Sequence, residues 1–291
     1  MTRNKLELRE KANIEKYVHN NTERCIDAIM ELYNRIPDIG GVFKALFRYR
    51  PLNSYELDSL ENETIFMRWP SSYEDESDCT PVFDLKEISQ YIIKKNHPAF
   101  NTEKVFDAFV DVDDIMSNDK VKEKVNDMRN MWMIACFTET HDNQKMWLRY
   151  ADNSSGICLV YSFYEVLNAV KAIDAMSIMP VRYVDNREQY SDICLNHKDL
   201  LESDDESESK YQLTCTTKER LKYSFEEEWR LIYERSKEDA DGEKIGDSIP
   251  FIKPALIICG DSLNRKSSEY QRLVEIAKEK ILLCCSRVGY Q

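Results

Sequence analysis

No stretch of this 291-residue chain approaches the roughly 18 consecutive apolar residues that a membrane-spanning helix needs. Residues 1–11 are charged and polar and carry no apolar h-region, so no secretory signal is expected and the protein is expected to stay in the cytoplasm. No C-x-x-C occurs among the nine cysteines, and His19, His97, His141 and His197 stand apart from any cysteine pair. That spacing argues against a zinc site, and no metal is expected. Cys136 (in MIACF), Cys158 (in GICLVY) and Cys259 (in LIICG) lie in apolar runs, and Cys284-Cys285 ends another. An odd cysteine count in such settings predicts buried, reduced thiols that pack the core. An excess of basic residues is missing too: 40 Lys and Arg face 53 Asp and Glu, for a net charge of -13. This argues against a broad phosphate-binding face and against adhesion to an anionic membrane. There is no internal repeat, and no array of aspartates to support a metal-dependent hydrolase; a nuclease is a further alternative that the charge disfavours.

What is present is an ordinary globular composition. Hydrophobic residues make up 42%, and the length suffices for one large domain with a sizeable core. Helical spacing of Ile14, Tyr17, Val18, Ile26, Ile29 and Leu32 predicts a helix over residues 4–36, ended by Pro37 and Gly40-Gly41. The expected organisation is therefore an N-terminal helical extension, 1–41, and a core domain, 42–291. The extension is a candidate surface for a partner protein or for a second copy of the chain. In the core, strands are expected at 42–49, 64–69, 131–137, 157–163, 179–184, 225–234, 255–259 and 281–285. Helices are expected at 54–60, within 84–128, and at 142–151, 164–172 and 268–280. Asn53 with Glu56 three positions on has the capping-box pattern. Asp152-Asn153-Ser154-Ser155-Gly156 is strong turn chemistry. The acidic run 202–209 reads as a solvated loop. This order predicts an α+β fold with a mixed, partly antiparallel central sheet flanked by helices.

Three clusters are candidates for chemistry. In the strand expected over 225–234, alternation places Glu226, Glu228 and Arg230 on one face, two carboxylates and an arginine in a compact array. The same pattern fits a solvated edge strand with a cross-strand charge ladder. The segment 137–161 joins a strand end, a short aromatic helix and a tight turn; Met146, Trp147 and Tyr150 read as packing, whereas Glu139 and Arg149 are less easily explained as core. The third cluster is Arg48 and Arg50 at the end of the first strand, where guanidinium groups facing a cleft hold a pyrophosphate well. Two exposed arginines flanking buried aromatics would read the same way. Ser71 and Ser72 either contact a ligand or cap a turn.

The motifs FRYR, TIFMRWPSSYEDESDC, CFTET, MWLRYADNSSGICLVYSF, PVRYV, FEEEWRLIY and IKPALIICG, in that order over residues 43–260, resemble a widespread bacterial domain of unknown function, family 2971. The family usually carries Asn-Asp-Pro after the second strand, where this chain has Glu74-Asp75-Glu76. More distantly, a first-strand arginine, a second-strand serine or aromatic motif and a late-strand Glu-x-Glu resemble the ADP-ribosyltransferase arrangement. That resemblance implies an NAD-cleaving or ADP-ribosyl-transferring enzyme, a bacterial toxin or phage-defence effector acting on an unknown macromolecular acceptor. It implies Glu228 as the catalytic glutamate and Glu226 as the residue orienting the acceptor. Arg48 or Arg50 would take the NAD phosphates and Ser71 the nicotinamide ribose. Tyr73 or Trp69 would stack on the nicotinamide, with Arg230 completing the charged array. The alternative is a non-enzymatic protein-interaction module in which the N-terminal helix and the acidic surface carry the function.

Overall fold

The computed structural model describes residues 38–39, 43–96, 119–140, 142–201, 205–235, 245–280 and 282–286. The helix expected over 4–36 lies outside them. In chain order come β1 (Asp38–Ile39), β2 (Phe43–Arg50), α1 (Ser54–Asn62), β3 (Thr64–Arg68), a 3-10 turn at Pro70–Ser72, β4 (Val82–Phe83), α2 (Leu85–Asn96) and α3 (Asp119–Arg129). Then follow β5 (Trp132–Thr138), α4 (Gln144–Tyr150), β6 (Ile157–Ser162), α5 (Phe163–Ala172), β7 (Met176–Pro180), β8 (Arg182–Val184), β9 (Cys194–Leu195) and α6 (His197–Leu201). The chain continues through α7 (Asp205–Cys215), β10 (Thr217–Glu219), α8 (Arg220–Tyr223), β11 (Glu228–Glu234), β12 (Gly246–Pro250), β13 (Leu256–Cys259), α9 (Ser268–Glu279) and β14 (Leu283–Ser286). The fold is α+β. Ten strands form one sheet whose pairings are antiparallel except that of β13 with β14.

Local chemistry explains several boundaries. Asn53 caps α1, its side chain accepting from the Glu56 N–H at 2.9 Å. Glu56 does not close the capping box; its carboxylate takes the Arg50 Nε–H at 2.6 Å, tying α1 to the end of β2. Asp152, Asn153 and Ser154 all have left-handed φ (47°, 52° and 68°), as the turn composition requires. Gly156 then passes so close to β2 that a Cβ there would lie 2.3 Å from the Arg50 carbonyl oxygen.

Two expectations are corrected. Residues 205–209 of the acidic run are helical, not a loop: they belong to α7. The strand expected over 225–234 begins at Glu228. Ser224–Glu226 is a 3-10 turn, and Glu227 takes a left-handed φ of 43° that breaks the alternation.

The position of β5 decides where the site lies. It pairs along its whole length with β11, which pairs on its other edge with β7. The Glu139 N–H donates to the Glu227 carbonyl at 3.1 Å, which sets the phase of this ladder. Odd-numbered β5 residues bond β11, and Ile134, Cys136 and Thr138 turn their peptide groups to the opposite edge. On that edge Arg68 of β3 pairs with Ile134 and Phe47 of β2 pairs with Thr138. Among the described residues no strand pairs there with Cys136. β2 and β3 therefore splay apart, and the sheet is split between them.

The core follows this geometry. One large cluster, including Leu46, Ile65, Met67, Trp69, Phe137, Tyr161 and Trp229, fills one face. A smaller cluster, with Phe47, Tyr49, Met146, Trp147 and Cys158, lies under α4 on the other. Among the described residues no helix is long and apolar enough to cross a membrane.

Candidate functional site

A cavity of about 290 Å³ occupies the split. Its walls are β2 (Phe47 to Arg50), β3 (Phe66, Arg68), β5 (Ile134 to Thr138) and side chains that reach in from elsewhere: Tyr73, Asp78, Met146, Tyr150, Lys218, Glu226 and Glu228. Cys136, expected in the core, is instead exposed; it lines this space at the unpaired edge of β5. Burial and the neighbouring charge of Glu228 push its thiol pKa up, so the sulfur keeps its proton.

One wall is a buried charge network centred on Lys218. Its ammonium lies 2.8 Å from Glu226 Oε2, 2.8 Å from Glu228 Oε2 and 3.7 Å from Asp78 Oδ2. Arg230, wholly buried, donates from Nε to Glu228 Oε1 at 2.8 Å, from Nη2 to Asp78 Oδ2 at 2.7 Å and from Nη1 to the Cys215 carbonyl at 2.6 Å. Burial alone would raise the Glu228 carboxyl; Arg230 and Lys218 outweigh it and hold the pKa at about 2. Asp78 is likewise held low against burial by Arg230 and Lys218. Glu226 differs. Burial raises its pKa, and Lys218 offsets this only in part. Tyr150 donates its phenolic hydrogen to Glu226 Oε1, and Arg149 approaches the same oxygen at 3.9 Å from the exposed side. The network sets three carboxylates against two cations.

The β2 and β3 residues of the lining include three arginines. Arg48 is 7% exposed, and its one described partner is the Phe66 carbonyl, at 2.8 Å from Nη2, across the split. No carboxylate among the described residues lies within ion-pair distance of it. Burial, then the neighbouring Arg50, lower its pKa from the usual arginine value. Arg50 is paired with Glu56. Arg68 bonds Ser72 and lies 5.7 Å over the Tyr73 ring. The cavity lining thus carries both carboxylates and guanidinium groups.

The structure brings Arg48, Arg50, Tyr73, Glu226 and Glu228 together around one cavity, although Glu226 and Glu228 do so from a turn and a strand instead of from one strand face. It leaves three candidates out. Ser71 hydrogen-bonds Asn130 and does not line the cavity. Trp69 is fully buried with its indole N–H on the Arg235 carbonyl, so it has no face for a ligand. Arg230 does not line the cavity, and its guanidinium is spent on the network behind it. Ser72 caps its own turn, donating to the Trp69 carbonyl at 2.7 Å, and Glu139 accepts the Trp229 indole N–H at 2.7 Å. The sequence reading missed Lys218, Asp78 and Cys136, and took Tyr150 for packing alone. Among the described residues no group of three His, Cys, Asp or Glu is placed to hold a metal ion.

A family model described as "Protein of unknown function (DUF2971)" matches residues 146–231. The chain is similar to that family over this stretch, which carries Tyr150, Lys218, Glu226, Glu228 and Arg230. No curated protein and no solved structure matches the chain.

Proposed function

We propose that the cavity binds NAD and cleaves its nicotinamide–ribose bond, so that the protein acts as an NAD-cleaving or ADP-ribosyl-transferring enzyme. The observation that carries this reading is Arg48: a buried guanidinium with no carboxylate at ion-pair distance among the described residues, in the same cavity as a carboxylate pair. An uncompensated buried cation is costly, and an anionic ligand removes the cost. NAD is bipolar in the matching sense, with a pyrophosphate for Arg48 and a cationic nicotinamide–ribose end for the carboxylates. A volume of about 290 Å³ is at the small end for ligand sites and suits that end of the molecule. Breaking the bond creates an oxocarbenium-like centre. Glu228, ionised at any physiological pH and fixed from two sides, stabilises that charge without reorganising. Glu226, whose pKa is raised, takes the proton of the incoming acceptor. Tyr73 lines the cavity where a ring can stack.

The test is release of nicotinamide from NAD by the purified protein, followed by chromatography. Glu228→Gln is expected to slow release by about two orders of magnitude or more while the melting transition persists. Arg48→Gln is expected to weaken NAD binding in calorimetry. Wild-type protein that neither binds NAD nor releases nicotinamide, with or without cell extract as a source of acceptor, overturns the reading.

A further inference from the structure

We propose that Tyr150 is itself an acceptor: its phenolic oxygen captures the ribosyl carbon when NAD is cleaved, so that the enzyme modifies itself inside its own cavity. This rests on the NAD-cleaving reading above. The geometry is that of an activated nucleophile. Tyr150 ends α4, lines the cavity and donates its hydroxyl hydrogen to Glu226 Oε1. Glu226 is in turn held through its other oxygen by the Lys218 ammonium at 2.8 Å. A nucleophile, a base and a third group that orients the base are the arrangement that covalent catalysis needs. Tyr49, another phenol of the cavity, donates to the Thr140 backbone carbonyl at 3.1 Å.

The resting state is compatible with this role. Burial and the Glu226 charge keep the Tyr150 phenol protonated, so its proton leaves only as the new bond forms. Burial makes Glu226 a stronger base than an exposed carboxylate, which suits it to receive that proton. In the step, the ribose C1′–nitrogen bond breaks and its electron pair leaves with neutral nicotinamide. A lone pair of the phenolic oxygen forms the bond to C1′, and the proton passes to Glu226. Nothing is oxidised or reduced. Glu228 faces the developing positive charge from the adjacent position on Lys218.

The experiment incubates the full chain with NAD, follows nicotinamide release, and maps any added ADP-ribosyl group by intact-mass and peptide mass spectrometry. Expected are a single ADP-ribosyl group on Tyr150, no such group on Tyr150→Phe, and labelling slowed about 100-fold or more in Glu226→Gln. Thermal melting of each variant checks folding. Nicotinamide release with Tyr150 unmodified overturns this proposal and leaves the NAD reading standing. Persistence of the label in Tyr150→Phe places it elsewhere and also overturns the proposal. Absence of any nicotinamide release removes the NAD reading first and this inference with it.

Discussion

Lys218 joins the three carboxylates of the site. A single ammonium, 7% exposed, faces three carboxylates, and each of the two nearest sits 2.8 Å away. Deleting one member of a buried charge network leaves the others desolvated and unpaired, typically at about 3–5 kcal/mol. Lys218→Met is therefore expected to lower the free energy of urea unfolding by that amount. Lys218→Met combined with Glu226→Gln, which removes one charge of each sign, is expected to recover a substantial part of the loss. A single variant no less stable than wild type would show that the network is not what holds this wall. Arg48 and the two glutamates were legible from the sequence because arginine at a strand end and Glu-x-Glu are visible at short range. Lys218 was not. It stands in an unremarkable Thr-Thr-Lys-Glu run, and one of its partners, Asp78, is 140 positions away in the sequence. Tyr150 was visible but ambiguous, since its ring packs and its hydroxyl acts, and periodicity reports only the ring.

At the scale of elements, most strands and helices were legible within a few residues, because alternation and capping are local. The split was not, because it depends on which edges of β5 find partners. Cys259 and Cys284 show the same limit. Both lie in apolar runs and were expected in the core; Cys259 is buried there, whereas Cys284 is exposed, and β13 and β14 bring their sulfurs to 3.4 Å. The hydrogen bond from Cys259 stabilises the Cys284 thiolate and lowers its pKa to about 7. Alkylation of Cys284 by iodoacetamide is thus expected to reach half its limiting rate near pH 7, and near pH 9 in Cys259→Ala. Peptide mapping across a pH series measures this, and equal profiles in the two proteins would refute the coupling.

For the molecule as a whole, the charge balance of -13 told nothing of the site, because the charges that line it are a local arrangement. Its acid response is governed instead by the buried carboxylates. Glu228 has a folded-state pKa of about 2 against an ordinary 4.5, and Asp78 is also depressed. Groups depressed on folding stabilise the native state fully above their unfolded pKa, and that contribution is lost as pH falls through the folded value. For Glu228 the full span is on the order of 3 kcal/mol. Glu226 has the opposite sign: its raised pKa means that protonation relieves a cost as pH falls. With two groups against one, the melting temperature is expected to fall between pH 5 and pH 3. The fall should be shallower in Glu228→Gln, and calorimetric scans at stepped pH read both.

The parting of β2 from β3 sets two demands against each other. Where a continuous sheet would place backbone bonds beside Cys136, this one places a guanidinium on the Phe66 carbonyl and leaves open space. Changes that zipped β2 onto β5 beyond Phe47 would gain ladder bonds and close the cavity. Selection for thermal robustness alone would therefore push this sheet toward filling the gap, and a stabilised variant obtained without a functional screen is a candidate for having lost its binding site.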